Sequence, residues 1–114
     1  MPFDSSPSEN STLTDVQKVL LGAAQLIRER GHCKYVFEDV HGSLCARGAI
    51  AAAECKTHWE LPWPPAGAAL HFARTLTWHE VDGVPDIGDW NNAPERTAAE
   101  VVAALEQAAF AKVE

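Results

Sequence analysis

The chain is 114 residues long, enough for one small domain that folds without covalent staples. Hydrophobic residues make up 46% and charged residues 22%, the balance of a globular protein and not of a disordered, highly charged one. Sixteen acidic residues against nine Lys and Arg leave a net charge of −7, a field that repels nucleic-acid phosphates and anionic membrane surfaces.

Residues 1–11, MPFDSSPSENS, combine Pro, Ser, Asn and acids without periodicity and read as a flexible tail, leaving 12–114 as a single globular domain. The stretch has neither the basic nor the apolar part of a secretory signal, and no apolar run approaches the roughly 20 residues of a membrane span, so a cytoplasmic location is expected. Three Cys residues without a CxxC pair argue against a secreted disulfide framework and make reduced thiols the default. A Cys33–Cys45 pairing stays open, since a disulfide depends on a Cα separation that spacing does not supply.

Thr14-Asp15-Val16-Gln17 has the form of a capping box and predicts the start of a first helix. Val16, Val19, Leu20, Ala23, Leu26 and Ile27 follow at helical spacing, and Gly31 supplies the stop. CKYVFEDVHGSLCA reads as a short antiparallel hairpin that turns near His41-Gly42 and returns through Leu44. From Cys45, CARGAIAAAE predicts a short buried helix in which Gly48 allows a close approach by a neighbouring element. KTHWELPWPPAG is a connector broken by Pro62, Pro64 and Pro65.

A third helix is expected from Ala69, Leu70, Phe72, Ala73 and Leu76, ending before Gly83-Val84-Pro85. WNNAPE then reads as a loop. Thr97-Ala98-Ala99-Glu100 is a second capping box, followed by the apolar stripe of Val101, Val102, Leu105, Ala108 and Ala109. These elements define a mainly helical α+β domain with about four helices and a small antiparallel hairpin, its first and last helices packed together.

No motif names a reaction, so the leading expectation is a small, non-enzymatic interaction or regulatory protein without a cofactor. Its partner is expected to be a protein, with a homo-oligomer as an open alternative and no role for nucleic acid or membrane. The binding candidates are Trp59 and Trp63 in the Pro-rich connector, and Trp90, Asn91 and Asn92 before the last helix. Trp favours interface hot spots, and Asn carboxamides either bind a ligand or satisfy turn backbone. For Trp90 the weightier expectation is a buried anchor.

The competing class is a cysteine-dependent hydrolase or transferase. Cys45 at a helix N-terminus is its nucleophile, because the positive end of the dipole favours a thiolate. A His such as His58, His71 or His79 would be its base, with Asn91 or Asp89 to orient that base. Cys33, Cys45, Cys55 and His58 offer the donor types of a zinc shell, but only Cys55 and His58 have compact ligand spacing, so no metal is expected. His71 and His79 lie about 12 Å apart along a continuous helix, too far to share an ion. Glu38-Asp39, Glu80-Asp82 and Asp86-Asp89 fall in turns, where a solvated role is the default.

With these residues laid out, the chain resembles a family of small actinobacterial and phage proteins of unknown function. The likeness lies in the capped first helix ending RERGH, the Asp39 to Gly42 turn, the C-x-x-G-A element Cys45-Ala46-Arg47-Gly48-Ala49, and IGDWNNAPERTAAEV. The last matches a Trp-Asn-[Asp/Asn]-Ala-Pro-x-Arg-Thr element, with Asn92 where an Asp is expected. The resemblance covers most of residues 14 to 110 and implies that this element belongs to a shared architecture. It implies no activity.

Overall fold

The structure, a computed structural model, describes residues 13–55 and 65–112. In chain order the elements are α1 (Asp15–Arg30), α2 (Ala46–Ala53), α3 (Gly67–Thr75), β1 (Glu80–Val81), β2 (Val84–Pro85), α4 (Ile87–Asn92) and α5 (Ala98–Phe110). The mainly helical α+β architecture is the one expected, with five helices among the described residues where about four were expected.

Both capping boxes form. The Gln17 and Glu100 amides donate to Thr14 and Thr97 Oγ1, and the Gln17 and Glu100 side chains accept from the Thr14 and Thr97 amides. Each box satisfies two amide donors that a helix start leaves open. Leu20, Ala23, Ala24 and Ile27 of α1 meet Val101, Val102, Leu105, Ala108 and Ala109 of α5 in the main core seam. Ile50 from α2, Phe72 from α3 and Ile87 from α4 close the same core. Burying a side chain of this size stabilises the fold by about 1.5–3 kcal/mol. Arg28 and Glu106 add an ion pair across the rim of the seam.

Three expectations change. The predicted hairpin at 33–45 is reduced to single bridges around Leu44, which pairs with His32 in parallel and with Glu38 in antiparallel sense. The turn and the return through Leu44 are present: Asp39 Oδ1 accepts from the His41 and Ser43 amides, and the Gly42 amide donates to Asp39 O. No ladder extends from this bridge because the residues before Glu38 are drawn toward α4 instead of continuing alongside the return limb.

The two-stranded hairpin lies at Glu80–Pro85, with Val81 opposite Val84. Asp82 (φ 56°) and Gly83 (φ 82°) form its two-residue turn, both in the left-handed region that such a turn requires. Accordingly α3 ends at Thr75, before Gly83 as expected and one residue short of Leu76. Thr75 Oγ1 donates to Phe72 O, and Leu76 is already extended at ψ 139°. His79 therefore lies beyond the helix, and the continuous-helix premise for His71 and His79 does not hold.

The third change concerns the stretch read as a loop. Residues 87–92 are helical, started by Asp86, whose side chain accepts from the Asp89 amide. The helix stops at Ala93, held extended at ψ 136° ahead of Pro94. Ile87, Trp90 and Asn91 stand at i, i+3 and i+4 and share the inward face.

Candidate functional site

The segment from Gly31 to Cys45 makes one irregular excursion between α1 and α2, and α4 is built to hold it. Asn91 is the centre of this arrangement. It is 1% exposed, and it is the buried polar residue among the described residues. Its Nδ2 donates to Cys33 O at 3.1 Å and to Asn92 Oδ1 at 3.2 Å. Its Oδ1 accepts from the Ala46 amide at 3.0 Å and bonds His32 Nε2 at 2.8 Å. Two donors and two acceptor sites are thereby used, which is the full capacity of a carboxamide.

The position of this group has a simple backbone logic. The Leu44 amide donates to Gly31 O and the Cys33 amide to Leu44 O, the two bonds of a parallel ladder. The next rung of that ladder would join the Ala46 amide to Cys33 O. The Asn91 carboxamide takes both ends of that rung, acting as a peptide group supplied by a side chain. It thus satisfies a buried backbone donor and acceptor that would otherwise cost about 1–3 kcal/mol each.

Further ties run along the same line. Asn92 Oδ1 accepts from the Tyr35 amide at 2.8 Å. Lys34 Nζ donates to Ala93 O at 2.7 Å and Pro94 O at 3.2 Å, placing a cation on carbonyls at the end of α4. On the α2 side, the Cys45 amide donates to Phe37 O at 3.1 Å, and that carbonyl rests directly on Gly48. A Cβ at Gly48 would stand 2.1 Å from Phe37 O, so only glycine lets the excursion dock here.

Held this way, Tyr35 takes φ 71°, a conformation rare for a bulky residue that costs about 1–3 kcal/mol. The side chains beyond it point outward: Tyr35 is 77% exposed, Val36 49% and Val40 95%. Between this ridge and α4 lies a groove of about 110 Å³ lined by Tyr35, Val36, Phe37, Cys45, Gly88, Asn91 and Asn92. That is small beside the roughly 300–1,000 Å³ of pockets that enclose organic ligands. The groove suits one inserted side chain better than a cofactor.

The remaining sequence candidates are placed as follows. Trp90 is buried, edge-on to Phe72 with ring centroids 5.7 Å apart, and the Arg96 guanidinium lies 4.2 Å over its ring. Arg96 Nε also donates to Trp90 O at 2.9 Å, so the Arg of the WNNAPERT element locks the end of α4 to the start of α5. Trp59, Trp63 and His58 lie outside the described residues.

Cys45 does cap α2, its Sγ accepting from the Gly48 amide at 3.3 Å. Burial pushes its thiol pKa up all the same, against the lowering effect of the Gly48 and Arg47 amides and the Arg47 guanidinium. Desolvation outweighs the helix N-terminus. The Cys33 thiol is pushed up to about 11, first by burial and then by Cys45 and Asp39.

Three of the described imidazoles face other partners: His32 bonds Asn91, His71 bonds Ala108 O at 2.8 Å, and His79 pairs with Asp89 at 2.6 Å. Cys55 is exposed whereas the other two thiols are buried, and among the described residues no group of three or more His, Cys, Asp or Glu side chains could hold a metal ion. Glu38 is engaged by Arg30 at 2.7 Å, and Asp89 also accepts from Trp78 Nε1 at 3.0 Å. No helix among the described residues is long and apolar enough to cross a membrane.

Fold and site together define a small helical domain that holds an apolar loop outward by a side-chain amide clamp. The chain belongs to the family of unknown function DUF6197, whose model matches residues 11–111. Comparison with curated proteins and with solved structures gives no match.

Proposed function

We propose that this chain is a non-enzymatic binding protein that recognises a partner protein through the ridge Tyr35, Val36 and Val40 and the groove beside it. The observation that carries this reading is the cost of the ridge. A left-handed Tyr35 and three outward apolar side chains are unfavourable in an isolated domain, yet the Asn92 bond to the Tyr35 amide holds them in place. Such a strained, exposed loop on a rigid frame is where recognition residues are commonly carried.

The partner segment is an apolar side chain for the groove, flanked by Lys or Arg. The net charge of −7, with Glu38 and Asp39 beside the ridge, favours that sign. A cytoplasmic, bacterial or phage setting and a second contact patch at Trp59 and Trp63 belong to the same proposal. The directions of the Cys33 and Cys45 thiols favour it over the thiol-enzyme reading.

The test compares associations of the full chain with those of Tyr35→Ser/Val36→Ser/Val40→Ser and of Trp59→Ala/Trp63→Ala. A partner recovered by affinity capture is purified and titrated by calorimetry. The ridge variant is expected to weaken binding at least tenfold with the fold intact by circular dichroism, and binding should fall as salt is raised. Equal affinity of the ridge variant and the parent chain ends this reading.

A further inference from the structure

Two of the three thiols are brought together by the same backbone geometry that Asn91 completes. His32 and Leu44 face each other across a parallel bridge. One residue further along both limbs stand Cys33 and Cys45, neighbours in register with side chains on one face of that short ladder. Adjacent strands run about 4.8 Å apart, which falls within the roughly 4.4–6.8 Å of Cα separation that a disulfide spans.

The limbs are fixed on both sides of the pair, by the Cys33 amide on Leu44 O at 3.1 Å and by the Asn91 carboxamide between Cys33 O and the Ala46 amide. Both thiols are buried and free, and charge on Cys45 is felt at Cys33. Cys45 also lines the groove beside the ridge.

We propose that Cys33 and Cys45 form a redox-active pair that closes to an intramolecular disulfide by exchange with a low-molecular-weight disulfide. The Cys45 thiolate attacks one sulfur of the reagent, breaking its S–S bond and releasing one thiolate, which takes up a proton. The Cys33 thiolate then attacks the Cys45 sulfur of the mixed disulfide and releases the second. Two protein thiols are oxidised and one small disulfide is reduced to two thiols, so the step balances without a further oxidant. The attacking species is the thiolate, so closure quickens about tenfold per pH unit while the thiols remain mostly protonated.

Closure also removes a hydrogen that the structure uses. Cys33 Sγ lies 3.3 Å from Ser43 O and 3.5 Å from Val36 O, and oxidation takes its donor from both carbonyls. The limb carrying Tyr35 and Val36 then loosens. This effect on the ridge rests on the binding reading above, whereas the disulfide does not.

The experiment equilibrates the full chain with reduced and oxidised glutathione at pH 8.5, folded and in urea, then quenches, alkylates and maps peptides by mass. The folded chain is expected to lose two hydrogens in a Cys33–Cys45 link, with Cys55 carrying a glutathione adduct at most. In Cys33→Ser the adduct on Cys45 should persist, because no second thiol resolves it. Folding of the reduced parent and the variant is checked by circular dichroism. The proposal is overturned if the folded chain gains only the Cys55 adduct while the urea-unfolded chain cross-links, or if the folded link involves Cys55.

Discussion

The α1–α5 seam and the Gly31–Cys45 excursion are held by different physics. In the seam, apolar side chains recur at helical spacing and each contributes through burial, while threonine caps close the ends. In the excursion less apolar surface is used: Leu44 joins the core, and Cys33 and Cys45 are buried near its ends. Its shape comes from Asn91, Asn92 and Lys34 bonding backbone groups 57 to 60 residues away in sequence, and from a carbonyl resting on Gly48. Burial tolerates small shifts, because a neighbouring side chain can relax into part of the space. A saturated amide does not, because each bond lost leaves a buried polar group unpaired.

The sharpest way to break this contrast is Asn91→Ala. It strands Cys33 O and the Ala46 amide together, and the expected loss is about 4 kcal/mol in urea unfolding. Leu105→Ala in the seam should cost a similar amount, about 3 kcal/mol. The two differ in hydrogen exchange: Asn91→Ala should deprotect the Ala46 amide, whose acceptor it removes, ahead of global unfolding, whereas Leu105→Ala should lower all protection evenly. A loss below about 1 kcal/mol for Asn91→Ala would mean that water replaces the clamp.

Gly48→Ala comes next, at about 3 kcal/mol, because the new Cβ and Phe37 O cannot both keep their places. Alanine otherwise favours a helix interior by about 1 kcal/mol, so a stabilised variant would show that the docking contact is dispensable.

A smaller effect is alkaline. Cys33 holds its proton to about 11 in the folded chain against an ordinary 9.0, so stability is full below pH 9 and declines as pH rises through 11. The slope is at most about 1.4 kcal/mol per pH unit, and Cys45, raised by its own burial, acts in the same direction. Unfolding midpoints for the parent and for Cys33→Ala between pH 8 and pH 11 should converge as pH rises. Parallel curves would place Cys33 in a more solvated setting.

The two regions also differ in how far they could be read from the letters. Helices α1 and α5 carry their caps and stripes within three or four residues, the range over which sequence pattern operates. The packing role of Gly48 was visible too, as a glycine inside a helical run. The hairpin at Glu80–Pro85 carries a local signal as well: Asp82-Gly83 between Val81 and Val84 is the preferred composition of a two-residue turn.

Helix α4 was hidden because six residues give too short a period to recognise, although Asp86 was available as its cap. That Asn91 and Asn92 satisfy backbone groups was among the expectations, but which groups was beyond reach for a physical reason. Their partners at His32, Cys33, Tyr35 and Ala46 are set by the packing of the whole domain, and nothing local marks a carboxamide that will stand in for a peptide bond.

A loop fastened at its base by a side chain from elsewhere is free to change at its crest. Val36 and Val40 take no part in the core and contribute no side-chain bond to the clamp, so replacing them should alter stability by only about 0.5 kcal/mol. The domain is thus a mounting with an exchangeable tip: new specificities could be written into the crest without redesigning the frame beneath it.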